Sequence, residues 1–120
     1  MQRYELEAWL GDEHGLTSEQ VGELLRTAGE IEEQYPDEDD REDREAALTA
    51  AYRLMVEAPE DLVAELAAAR TVARAAERKA LVALRQVAVT RISNGDATEA
   101  GFAQKAGVDR MAVRRWLGKR

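Results

Sequence analysis

The chain has 120 residues with one Phe and two Trp, so it holds one small domain or two very small units with little large apolar surface to bury. It contains no Cys, which excludes disulfides and thiolate metal sites. The net charge of −7 conceals a split: residues 1–69 carry 5 Lys/Arg and 20 Asp/Glu, a net of −15, whereas residues 70–120 carry 12 and 4, a net of +8. A basic end of this kind indicates contact with nucleic acid.

Two further features bear on where the chain resides. No stretch approaches 18 apolar residues, so no membrane span and no membrane partner are expected. The start, MQRYELEAWLGDEHG, has neither the basic region nor the apolar core of a signal peptide. We therefore expect a cytoplasmic, nucleoid-associated protein, and the bias towards Ala, Arg and Glu suggests a GC-rich bacterial coding sequence.

The predicted fold is all-α, and its first clear helix follows Thr17. Thr17 and Gln20 match the capping box that starts helices. The next apolar residues recur on one helical face, and Pro36 ends the pattern. That face consists of Val21, Leu24, Leu25, Ala28 and Ile31.

A second helix is predicted after the acidic run Asp37 to Glu45, which suits a loop and the first turn of a helix. Its apolar side consists of Leu48, Ala51, Tyr52, Met55 and Val56. Pro59 either closes this helix or starts the next. We interpret residues 1–58 as an acidic helical region that dimerises or binds a partner.

Residues 59–92 contain no helix breaker after Pro59 and predict a long connecting helix, with a bend near Thr71 left open. Apolar residues along it are spaced alternately by four and three, as in a coiled coil. This Ala seam consists of Leu62, Leu66, Ala69, Ala73, Ala76, Ala80, Ala83 and Val87. It indicates a close helix pair within one chain or between two chains, although Ala is also simply the best helix former.

Residues 93–120 predict a loop, SNGDAT, and then two short helices in TEAGFAQKAGVDRMAVRRWLGKR. Asp96 or Thr98 suits the first cap and Asp109 the second, and a glycine suits the left-handed turn between the helices. The residues that we expect to hold the two helices together are Ala103, Gly107, Val108, Val113 and Trp116.

This arrangement resembles the helix-turn-helix of bacterial, phage and plasmid regulators, and the tail GVDRMAVRRWLGK looks particularly like small actinobacterial DNA-binding proteins. The resemblance covers residues 98–120. It implies that helix 109–117 enters the major groove of double-stranded DNA. Many such regulators carry the motif at the N-terminus, so the analogy leaves residues 1–70 open.

The outer side of the predicted recognition helix supplies the candidate DNA contacts. Arg110 and Arg114 suit bidentate bonds to guanine, and Met111 suits a thymine methyl group. Other cations are better placed for phosphates, which position the protein without reading sequence. These phosphate candidates are Lys105, Arg115, Lys119 and Arg120.

The sequence therefore predicts a sequence-specific DNA-binding protein, a dimeric transcriptional or replicon/phage regulator. The dimer would form through the N-terminal helices, the Ala seam from Leu62 to Val87, or both, with half-sites about one helical turn or a multiple apart. The alternative is an adaptor of the plasmid-partition or phage-accessory type, whose acidic helices recruit a protein partner. A third option is that the acidic half masks the basic tail as a DNA mimic, and of the three we favour a dimerisation domain.

Catalysis finds little support in the sequence. His14 is the only His, in a polar stretch where a solvated side chain is expected, and the chain lacks a phosphate-binding Gly loop. The acidic run from Asp37 lacks the spaced ligands and fixed glycine of a calcium loop. We expect no enzyme activity, no cofactor and no metal.

Overall fold

The computed structural model describes residues 1–119, and within them the fold is all-helical with no strand. Its six α-helices are α1 (Arg3–Leu10), α2 (Ser18–Gln34), α3 (Arg41–Val56), α4 (Pro59–Ser93), α5 (Glu99–Ala106) and α6 (Arg110–Trp116). A 3₁₀ turn, Glu38–Asp40, precedes α3. The prediction of an all-α chain with one long central helix is confirmed.

The chain divides into two compact units, Met1–Leu66 and a second unit that begins at Ala67. Helix α4 passes from one to the other as a single helix of 35 residues. Thr71, where a bend was considered, lies inside this one helix, and its hydroxyl donates to the Ala67 carbonyl at 3.1 Å.

Helix α2 begins where the sequence predicts and forms the centre of the first unit. Thr17 Oγ1 accepts from the Gln20 amide at 3.1 Å, and Gln20 Oε1 accepts from the Thr17 amide at 2.9 Å. Each bond satisfies an amide that the helix itself leaves without a partner. Of the five predicted face residues, one is half-buried, Leu25, and four are buried: Val21, Leu24, Ala28 and Ile31.

Helices α1 and α3 complete this core, since Leu6 of α1 is fully buried and Leu48 of α3 is 6% exposed. The ring of Trp9 meets the ring of Tyr52 edge to face, with 6.4 Å between centroids. An arrangement of this kind stabilises beyond the area that it buries. The first unit therefore has a hydrophobic core of its own.

The loop between α1 and α2 is fixed by His14, which differs from the solvated side chain that the sequence suggested. His14 is half-buried. Its Nδ1 accepts from the Leu16 amide at 2.9 Å, and its carbonyl accepts from the Tyr52 hydroxyl at 2.8 Å. These bonds assign His14 a structural role.

The Ala seam is covered only at its start. Leu62 is buried in the first unit, but every residue from 63 to 83 is exposed. Val72 is 70% exposed and Leu66 is 44% exposed. No other part of residues 1–119 covers the middle of the seam.

Candidate nucleic-acid interface

The C-terminal helix pair begins with a cap at Thr98. Its Oγ1 accepts from the Gly101 amide at 3.0 Å and so starts α5. A side chain at position 101 would begin 2.9 Å from that hydroxyl oxygen, so glycine leaves room for the cap. Of the two caps that the sequence allowed, Thr98 is the one used.

The turn between α5 and α6 depends on Gly107, whose φ of 69° and ψ of 32° lie in the left-handed region. Glycine adopts this conformation without the strain that a Cβ brings. The turn is closed by bonds from the Val108 amide to the Ala103 carbonyl, 3.0 Å, and from the Gly107 amide to the Gln104 carbonyl, 3.4 Å. Gly107 therefore sets the direction in which the second helix starts.

Helix α6 starts at a cap supplied by Asp109, whose Oδ1 accepts from the Met111 amide at 2.8 Å. Val113 is fully buried and Ala103 of α5 is 5% exposed. Val108 and Trp116 are half-buried. The five predicted framework residues thus occupy the inner side of the pair and the turn that joins it.

The opposite side of α6 carries three cations and a methionine. Arg110 has 61% of its side chain exposed, Met111 is 51% exposed, and Arg115 is exposed. Arg114 lies on the same side with 31% of its side chain exposed. Lys105 of α5 is also exposed. Arg110, Met111, Arg115 and Lys105 are therefore accessible and Arg114 is partly so, while Arg120 lies outside the described residues.

The chain turns back after α6. Gly118 has a φ of 76°, and the Lys119 amide bonds the Arg114 carbonyl at 2.8 Å. This is the bonding expected where a glycine ends a helix. It brings the Lys119 side chain to the start of α5, where an acidic group is located.

That group is Glu99, the first residue of α5 and the one acidic residue of either helix. Its Oε1 accepts from Lys119 Nζ at 2.6 Å and its Oε2 accepts from Arg114 Nη1 at 3.0 Å. Arg110 Nε lies 3.8 Å from Oε2. Only 11% of the Glu99 side chain is exposed. We name these four residues the Glu99 cluster.

The cluster lowers the pKa of Glu99, first through the hydrogen bond from Lys119 and then through that from Arg114, against an opposing effect of burial. A carboxylate whose pKa is lower in the folded chain stabilises the fold above the ordinary pKa of glutamate. That contribution is lost as the pH falls through the lowered value. At neutral pH the carboxylate is ionised and the cluster is intact.

Comparison with other proteins identifies no relative of this chain. No protein-family model, curated protein or solved structure matches the chain. The interpretation of α5 and α6 therefore depends on the residues themselves.

The last turns of α4 take part in the same unit. Ala88 is fully buried. Val82 and Val89 line a groove with Trp116 of α6, and a second groove runs between Leu84 of α4 and Phe102 of α5. The end of helix α4 thus lies beside both C-terminal helices.

Within residues 1–119, no group of three or more His, Asp or Glu side chains is arranged to hold a metal ion. The acidic run forms the 3₁₀ turn and the first turn of α3, where Arg44 Nη1 donates to the carbonyls of Tyr35 and Asp37 at 2.7 and 2.6 Å. Among these helices, none combines the length and apolar character that crossing a bilayer requires.

Glu99 was not singled out from the sequence. It lies 15 and 20 positions before its partners Arg114 and Lys119, beyond the three- and four-residue spacings on which helical patterns depend. One signal was present, since α5 and α6 carry four cations and only this one acid. An isolated acid among cations on two packed helices indicates an internal ion pair.

Proposed function

We propose that the chain is a sequence-specific DNA-binding protein in which α5, the turn and α6 form a helix-turn-helix. The observation that carries the proposal is the two-sided character of α6. Val113 is fully buried on one side, whereas Arg110, Met111 and Arg115 are exposed on the other. In this motif the N-terminal part of the second helix meets base edges in the major groove.

The exposed residues divide by position. Arg110 and Met111 form the first turn of α6 with Asp109 as its cap, and Arg114 follows one turn later. These three are proposed to read bases. Arg115, Lys105 and Lys119 are proposed to contact phosphates, which give affinity without sequence information.

Selection of bound duplexes from random DNA tests this function. We expect enrichment of one motif, because α6 presents two arginines at helical spacing that suit guanine edges. Binding of the selected duplex should weaken linearly with the logarithm of salt concentration, by a slope of about −0.9 for each phosphate neutralised. The absence of any enriched motif at moderate salt would contradict the proposal.

We further propose that the chain pairs with a second copy along α4, in antiparallel orientation. Residues 63–83 are exposed, so the seam is accessible. The first two turns of α4 are acidic, and its later turns are basic (Arg78, Lys79, Arg85 and Arg91). Antiparallel pairing sets each acidic end beside a basic one, whereas parallel pairing sets like charges together.

The spacing of the seam also defines a register. Antiparallel pairing that keeps the exposed seam residues from Leu66 to Ala83 in the interface places Ala69 of one copy beside Ala80 of the other. The same register places Arg70 of each copy beside Glu77 of the other, in the flanking positions where opposite charges set orientation. The small alanine side chains allow the two helices to approach closely.

Single cysteines test this register, since the natural chain has none. Oxidation of a mixture of Ala69→Cys and Ala80→Cys chains should give a disulfide-linked pair. Either variant alone should stay uncrosslinked, because its two cysteines would lie about 16 Å apart along the axis, beyond the span of a disulfide. Self-crosslinking of each variant would show parallel pairing, and a monomer in sedimentation would rule out pairing through α4.

A further inference from the structure

We infer that Glu99 is a specificity-determining residue that holds Arg114 and Lys119 in place and withholds positive charge from the DNA backbone. The inference rests on the proposed DNA-binding function and concerns the same surface. Glu99 acts through its cationic neighbours and is proposed to touch no base.

The geometry supports a positioning role. The two carboxylate oxygens of Glu99 take separate partners, Arg114 at 3.0 Å and Lys119 at 2.6 Å. The side chain is largely covered, and Thr98 caps the helix turn from which it projects. A guanidinium held by a carboxylate has already lost part of its rotamer freedom, so a later bond to a base edge costs less ordering.

The negative charge of Glu99 weakens non-specific binding to DNA. Three cations lie within 4 Å of the carboxylate, and the ionised acid cancels one of their charges. Affinity for any duplex follows the number of phosphates that cations neutralise. Glu99 therefore lowers affinity for random DNA while it preserves the base-reading arginine, and specificity is the difference between the two.

A purely structural ion cluster would behave differently. It would alter the stability of the helix pair, and any effect on DNA binding would be the same for every duplex. Measuring the selected duplex and a random duplex side by side, over a range of salt concentrations, separates the two possibilities. Thermal unfolding of each variant shows whether the chain is still folded.

The experiment compares Glu99→Gln in the full chain with Asp96→Asn as the matched control. Asp96 is an exposed acid of the preceding loop, so its amide variant also removes one negative charge from this unit. For Glu99→Gln we expect tighter binding to random DNA, a salt slope steeper by about one phosphate, and a ratio of specific to non-specific affinity roughly tenfold lower. Asp96→Asn should leave the ratio unchanged.

A second variant, Glu99→Asp, separates the effect of the Glu99 charge from its effect on the position of its partners. It also replaces Glu99→Gln as the test if that variant fails to fold. It keeps the negative charge but shortens the reach towards Arg114 and Lys119. Binding to random DNA should stay at the native level, while binding to the selected duplex weakens several-fold. Equal changes on both duplexes, or a ratio unchanged in both variants, would overturn the inference; a native chain that binds neither duplex would overturn the proposed function itself.

Discussion

Replacing Arg114 by alanine is expected to weaken binding to the selected duplex by roughly 5- to 150-fold, about 1–3 kcal/mol, and to relax the preference at one base pair. Arg114 lies one helical turn after Arg110, on the exposed side of α6, and suits a bidentate bond to guanine O6 and N7. Random DNA should be affected much less. Titration of both duplexes at one salt concentration measures the difference.

The variant Arg114→Lys isolates the part that depends on the guanidinium. It keeps the charge and the bond to Glu99 within reach, but loses the planar donor pair that matches guanine. We expect it to lose preference at the same base pair while binding random DNA normally. An equal loss on both duplexes for Arg114→Ala would make this residue a phosphate contact and contradict its assignment as a base reader.

The parts of the fold that were predictable are those in which neighbouring residues carry the signal. Thr17 and Gln20 predict the start of α2 because a capping box is built from residues three apart. The bounds of α4 were predicted to within one residue because nothing after Pro59 breaks a helix before the Asn94–Gly95 turn. Gly107 and Asp109 likewise indicate the turn and cap that the structure contains.

The features that were missed depend on contacts between distant residues. Helix α1 lacks a strong start signal, since Gln2 is not among the preferred capping residues, and Leu6 is buried only because α2 and α3 pack against it. His14 was assigned to solvent because its partner Tyr52 is 38 positions away. Glu99 was overlooked for the same reason, although it is central to the candidate site.

Whether α6 reads DNA depends on which of its cations are accessible, and the sequence alone does not show this. The sequence supplies the cations, and the structure shows which of them are accessible and which are held by Glu99. Arg110 and Arg115 are the more exposed, whereas Arg114 is partly covered. This difference in exposure predicts that the three arginines of the sequence RMAVRRW contribute unequally to DNA binding, although they look equivalent in the sequence.

Leu24→Ala is expected to remove about 2–5 kcal/mol from the free energy of unfolding of the N-terminal unit. Leu24 has no exposed surface and lies at the centre of the core formed by α1, α2 and α3, so truncation leaves a cavity that the helices close only in part. The control is Leu54→Ala at a leucine that is 54% exposed, where a change within about 0.5 kcal/mol is expected.

The two tryptophans allow this loss to be assigned to one unit. Trp9 belongs to the first unit and Trp116 to the second, so a Trp116→Phe background leaves fluorescence from Trp9 alone, and Trp9→Phe leaves Trp116. In urea titrations Leu24→Ala should lower the midpoint reported by Trp9 and leave that reported by Trp116 within error. The proposed DNA contacts all belong to α5, α6 and Lys119. Affinity for the selected duplex should therefore fall only if pairing through α4 requires a folded first unit. Equal shifts of both midpoints would show that the two units unfold as one.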